Sequence, residues 1–386
     1  MSYIRGDIFK KLSWGADNLS FQWLLCLSFG VLAYEKHVYD DLYVVFSGFF
    51  VICLSFLVLF FYRLDFVRHA DFCEKKIDYK LCLFLVLMWL YQCTSSIYHG
   101  DIVNIIRNLL FLPIIFLYLR SVIFKIIVFN CFIILAVICA FVSLGIQFGF
   151  FDFWEPVFLR NASIFFDPNY AGVIFGLALI FCLTIFREGV YLVVAPILFL
   201  ALILSYSRGA FLALVISLIA YACGRPALRN IKLKGLITAL LGMAVPIWWV
   251  VDYKLMVMRL DHGSSGRLLM WVASFKDVFM EGHFFGSGAD GPHNLLIRHG
   301  LENSSTHNFF IDNMVVYGVP SLLMWFMLVM FSVFQSWRHR DSTFPALLFM
   351  FIVSNFLVVS VGGIGLLSFF YSLLVMHNLF PANTSE

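Results

Sequence analysis

Three arginines and a histidine stand out in a chain that otherwise avoids charge: Arg160, Arg208, Arg267 and His307, each in a polar segment between long apolar runs. A guanidinium is a rigid, permanently charged fork that binds phosphate oxygens two at a time. An imidazole at a water boundary can accept a proton near neutral pH. Together these groups suit a reaction in which a polyanionic group departs while a hydroxyl is deprotonated. For any single arginine the plain alternative is a solvated or headgroup contact, and a lone interfacial histidine is commonly structural. Arg107 strengthens the joint reading. It falls about one and a half turns inside an expected span, where arginine faces a wet cavity or a partner because contact with lipid costs several kcal/mol.

The longest hydrophilic stretch, Asp252 to Thr306, holds His262, His283, His293 and His299 and leads into His307. In it Arg267 opens a segment in which Leu268, Trp271, Val272, Phe275, Val278 and Phe279 recur at helical spacing. Ser264 or Ser265 can cap that helix and Gly282 can end it. A helix start gathers unpaired N–H groups and partial positive charge, which Arg267 would reinforce as an anion site. The alternative is an amphipathic helix lying on the membrane surface with Arg267 merely solvated. Gly282 to Gly291 reads as a flexible turn, too irregular for a nucleotide loop. Ser304, Ser305 and Thr306 before an apolar run are capping chemistry, and Asp312 is a weaker candidate for orienting His307. The loop histidines lack metal-ligand spacing and none of the nine cysteines lies in this loop, so no metal or other cofactor is expected.

The elements that must position these residues are membrane helices. Hydrophobic residues make up 62% of the 386 and charged residues 13%, and apolar runs of about the 20 residues needed to cross a bilayer recur from end to end. The pattern predicts an all-α polytopic fold with twelve spans, at 21–34, 42–62, 81–97, 102–119, 126–149, 169–186, 190–206, 210–223, 235–251, 308–334, 344–360 and 364–380. Residues 1–386 form one membrane domain, with a large outer loop at 252–306 and a smaller one at 151–168. The N-terminal segment reads as a retained cytoplasmic tail, since no cleavage site follows its first apolar run. With that end inside, Lys and Arg gather in the cytoplasmic connections, including Arg63 to Lys80, Arg225 to Lys234, and Arg338 with Arg340. Both termini are expected in the cytoplasm and the polar segments on the outer face. No internal repeat of the transporter kind is evident, and no nucleic-acid partner is expected.

Four segments, in order, resemble the markers of the O-antigen ligase and Wzy-type O-antigen polymerase superfamily. They are Arg160-Asn-Ala-Ser-Ile-Phe-Phe-Asp-Pro-Asn169-Tyr-Ala171; Leu204-Ser-Tyr-Ser-Arg208-Gly209; Ser265-Gly-Arg267 with Trp271 and Gly286-Ser-Gly288; and Thr306-His307-Asn308 followed by Gly318. The resemblance implies a GT-C-like, metal-independent, inverting glycosyltransferase at the periplasmic face of the bacterial inner membrane. Its donor would be an undecaprenyl-diphosphate-linked oligosaccharide delivered through membrane lipid, in lipopolysaccharide or other polysaccharide biosynthesis. Carried residue by residue, it implies Arg208 and Arg267 as diphosphate ligands, Arg160 as a glycan or phosphate contact, and His307 as base or acceptor-orienting group. Arg107, Asn169, Asn308, Arg259 and Arg298 complete the expected substrate contacts. One departure stands out: some polymerases carry a glycine eleven residues after an outer-loop arginine, and here Arg160 is followed at that place by Ala171, with Gly172 next.

Polymerase and ligase share the donor and differ in the acceptor, a second lipid-linked repeat unit or lipid A core. A polymerase must hold two lipid diphosphates, and Lys254, Arg259, Lys276 and Arg298 are spare outer cations for that purpose. The polymerase is therefore the reading taken here, with a chain-length regulator as a candidate partner. The ligase is its alternative. A lipid-linked oligosaccharide transporter is the reading from another class, disfavoured because the polar residues cluster at the boundary and not at mid-membrane.

Overall fold

The computed structural model describes residues 79–101, 122–150, 163, 167–186, 189–224, 267–288, 290–300, 306–355 and 366–379. These residues form α1 (Tyr79–Tyr98), α2 (Val122–Gln147), α3 (Pro168–Phe181), continued by a π turn at Cys182–Phe186, α4 (Val190–Leu204) and α5 (Arg208–Gly224). Then come α6 (Arg267–Met280), α7 (Gly291–Arg298), α8 (Phe309–Tyr317), α9 (Val319–Arg338), α10 (Phe344–Ser354) and α11 (Leu366–Leu379). No strand occurs among the described residues. Among the described residues three stretches are long and apolar enough to cross a membrane: Phe129–Gln147, Pro168–Phe186 and Val319–Arg338. These helices are those of an integral membrane protein by length and composition. The expected spans at 21–34, 42–62, 102–119 and 235–251 lie outside the described residues.

α3 is the axis of the bundle. Every residue from Ala171 to Thr184 is buried, because α2, α4, α5 and α10 pack around it. The close approaches need small residues. At Gly176 an added Cβ would lie 2.7 Å from Cζ of Phe349 on α10, and at Gly172 one would lie 2.4 Å from Cβ of Ser207, just before α5. Below this point Phe129, Phe132, Phe181 and Phe370 knit α2, α3 and α11 with ring centroids 4.3 to 6.2 Å apart.

The expected span at 308–334 is two helices, not one. Gly318, at φ 88° and ψ 176°, breaks it into α8 and α9. A break inside apolar surroundings strands backbone groups that must find partners. Here Ser287 N–H donates to Val315 O (2.8 Å), Gly288 N–H to Val316 O (3.1 Å), and Val319 N–H to Phe284 O (2.9 Å). The Tyr91 hydroxyl on α1 donates to Tyr317 O at 2.7 Å. The expected flexible turn at 282–291 is thus an extended strap laid into the break. Glycine is required at 286 and 318, where a Cβ would meet backbone at 2.4 Å.

The 252–306 loop contains two helices where one was expected. α7 was missed because its signal is short: Pro292 at the start, with Leu295 and Leu296 the only apolar pair fully inside. α6 stands where the spacing predicts it, but the predicted apolar stripe faces mostly outward. Leu268, Val272, Phe275 and Phe279 are exposed, while Met270, Ala273, Ser274, Asp277 and Val278 are buried. That buried side joins Leu295 and Leu296 of α7, Ile311, Met314 and Val315 of α8, and Val319 at the start of α9 in a second, smaller core.

Candidate functional site

The sequence markers fall on helix starts. The Asp-Pro-Asn of the first marker begins α3: Asp167 Oδ1 accepts the Asn169 N–H at 2.8 Å and Pro168 occupies the first turn, where its missing N–H costs nothing. Arg208 is the first residue of α5 and Arg267 the first of α6, so each guanidinium stands at the partially positive end of a helix. Both side chains are half-buried. The last marker begins α8, where the cap is Asn308 and not the preceding Ser/Thr cluster. Its Oδ1 accepts the N–H groups of Phe310 (2.9 Å) and Ile311 (3.2 Å).

Backbone strain collects at the same places. Among the described residues the non-glycine positions with positive φ are Ser163, Tyr206, His307 and Arg340, and the first three belong to the markers. A left-handed L residue costs roughly 1–2 kcal/mol, so it persists where surroundings over-determine it. Ser163 is buried and its hydroxyl donates to Cys139 O. Tyr206 lies in the turn packed on Gly172, which gives that glycine a packing role.

His307 is held on both sides. Thr306, wholly buried, donates to Asp312 Oδ1 through its N–H (2.9 Å) and its hydroxyl (2.7 Å). The Thr306 carbonyl accepts the indole N–H of Trp271 at 3.0 Å. On the far side, Asn308 Nδ2 donates to Asn355 O at 3.4 Å. Asp312 thus fastens the residue that precedes His307.

Two pairings follow. The start of α3, with Asn169, lies against the turn that delivers Arg208. The start of α6, with Arg267, is tied through Trp271 to the residue before His307. α10 links the pairs, since it packs along both α3 and α5 and the residue that closes it, Asn355, receives the Asn308 amide. Asn308 acts in the described structure as cap and tether, and the residue is buried.

Arg298 is not a spare cation. Its Nη2 lies 3.1 Å from Asp277 Oδ1 and its Nη1 3.5 Å from Glu281 Oε2, and His283 Nδ1 lies 3.0 Å from Asp277 Oδ2. Asp277 is buried, so this pairing supplies the counter-charge it needs and clamps α7 to α6. The site of the clamp is ten residues along α6 from Arg267, about 15 Å at 1.5 Å per residue. Asp277, Glu281 and His283 offer ligand atoms within 4.8 Å of one another, and Arg298 already sits on both carboxylates. Arg107, Arg160 and Arg259 lie outside the described residues.

His99 was missed by sequence reasoning. It follows α1 and packs on Gly288, where an added Cβ would be 3.0 Å from its Cβ. Nothing in its local sequence announced a contact so distant along the chain.

Residues 193–326 match the family model described as O-antigen ligase. The matched segment runs from α4 into α9 and includes Arg208, Arg267 and His307. No curated protein matches the chain.

Proposed function

We propose, from the match of residues 193–326 to the family model described as O-antigen ligase, that the chain is a glycosyltransferase moving a glycan from undecaprenyl diphosphate to an acceptor hydroxyl. The observation that carries this reading is the placement of Arg208 and Arg267 on the first residues of two helices, one of which is bonded beside His307. Fixed guanidinium groups and helix N-termini stabilise charge that builds on a departing diphosphate. As the bond from the anomeric carbon to the diphosphate breaks, its electron pair goes to the leaving oxygen, held by Arg208 and Arg267. The acceptor oxygen forms the new bond on the opposite face and gives its proton to His307, so configuration inverts. Arg160, Arg107, Arg259 and Asn169 are assigned to glycan and phosphate contacts around this centre. The assigned setting is a GT-C-like, multi-pass fold in the bacterial inner membrane, with the site at the periplasmic face.

The outward apolar face of α6 favours a helix lying along the membrane surface. Its buried side reaches Val319 at the end of a span, the level where aromatic and aliphatic side chains meet headgroups. Arg267 at its start would then stand at headgroup depth, where a lipid diphosphate sits. The anion-site and membrane-surface readings of this helix become one.

The acceptor we assign is a second lipid-linked repeat unit, the polymerase reaction. Transfer to lipid A core is the second reading, favoured by the description of the matched family and by the engagement of Arg298, which removes one spare cation. Purified protein given lipid-linked repeat unit alone separates them. Polymer ladders are the expected product; product only after lipid A core is added identifies the ligase. Movement of intact lipid-linked glycan across vesicles with no new glycosidic bond would overturn the transferase reading in favour of transport.

A further inference from the structure

We propose that Asp312 and Trp271 are positioning residues that hold His307 in its left-handed conformation and fix its spacing from Arg267. The inference rests on the reading of His307 as the proton acceptor. His307 has φ 56°, a conformation its own chemistry does not favour. The peptide groups on both sides of Thr306, the residue just before it, are immobilised by side chains of α8 and α6. Asp312 takes the N–H and hydroxyl of Thr306, and Trp271 takes its carbonyl.

These bonds are not needed to start α8. Asn308 caps that helix by itself, through Phe310 and Ile311, and the Asp312 carboxylate acts upstream of the cap. Trp271 comes from another helix altogether, and it stands one turn after Arg267 on the same side of α6. Its indole is a strut between the helix that carries the diphosphate ligand and the strand of chain that carries the base. Bond breaking and proton removal occur on opposite sides of one carbon, so their separation matters. A misplacement of about 1 Å can cost on the order of 100-fold in rate.

The test compares D312A, D312N, W271F and H307A in full-length purified protein, measuring kcat, KM for the lipid-linked donor, and melting temperature. D312A and W271F are expected to lower kcat by about tenfold or more with KM within about twofold. D312N keeps an oxygen able to accept both Thr306 bonds and is expected to restore most of the rate. In an H307A background, D312A is expected to cause no further loss from the residual rate. Wild-type kcat in both D312A and W271F, with H307A inactive, overturns the positioning role while leaving the base intact. A fully active H307A overturns the base reading itself. D312N as slow as D312A, or an additive loss on H307A, overturns the hydrogen-bond frame. Should D312A fail to accumulate in membranes, T306V removes the hydroxyl bond alone and is held to the same kcat and KM outcomes.

Discussion

The chain builds the same local device twice, at 306–312 and at 340–343, and uses it differently. In each, an aspartate oxygen accepts both the N–H and the hydroxyl of a threonine: Asp312 with Thr306 at 2.9 and 2.7 Å, Asp341 with Thr343 at 2.8 Å for both bonds. Each stands beside a left-handed residue, His307 in one and Arg340 in the other. Around Asp341 the remaining partners close inward. His377 Nε2 lies 3.4 Å from its Oδ2, and Asn378 Nδ2 donates to the Thr343 hydroxyl at 3.0 Å, so the turn between α9 and α10 is fastened to the end of α11. Arg340 is left exposed. Around Asp312 the partners come from the α6 helix and from the end of α10, and the strained residue is a half-buried histidine. One frame ties helices together; the other holds the histidine proposed as the base.

That contrast is most directly broken at the two strained residues. H307A is expected to lower glycan transfer by about 10²–10⁴-fold, the usual span for a general base, whereas R340A should stay within about twofold at equal membrane abundance. Equal damage from both would erase the distinction. Next in size, R208A and R267A are each expected to cost about 10²–10³-fold in kcat, as for removal of an oxyanion donor, with lysine substitutions falling between. Retention of full rate in either variant removes that arginine from the leaving-group site.

R298A sharpens the comparison from another side. Loss of the α7 clamp leaves the buried Asp277 short of a partner and should lower thermal stability by about 1–3 kcal/mol, while the transfer rate per folded molecule holds. A selective fall in rate with unchanged melting would return Arg298 to the substrate site. The smallest expected effect is on acid stability. Burial pushes the Asp341 carboxyl up, but the His377 contacts and the Thr343 bonds outweigh it and hold it well below the usual carboxylate range. A lowered folded-state value means stability that is present above the unfolded value of about 3.9 and lost as pH falls from there. Melting curves between pH 5 and pH 3 should therefore decline less steeply in D341N than in the wild type; identical slopes would contradict the assignment.

Much of the fold was legible because its signals are local. The apolar runs predicted the helices at 81–97, 126–149, 169–186 and 190–206 to within a few residues of α1, α2, α3 with its π turn, and α4. Asp-Pro before α3 and Gly282 after α6 are punctuation that acts within a turn of itself. The break at Gly318 was not legible, since hydropathy runs unbroken across it and the strap that satisfies it comes from 284–288. Nor was the orientation of α6. Its spacing identified an apolar stripe, but Asp277 goes inside because Arg298, twenty-one residues later, is there to meet it.

The same division holds at the site. Residue types by themselves determined a membrane protein with arginines and a histidine suited to a diphosphate and a proton, because guanidinium and imidazole chemistry is intrinsic to the side chain. Only the tertiary structure decided that Asn169 lies by the Arg208 turn, that Arg267 is strung to His307 through Trp271, and that Arg298 and Asn308 serve the scaffold. Those outcomes hang on hydrogen bonds and close contacts between groups 21 to 47 residues apart, and a contact of that reach depends on how whole helices pack.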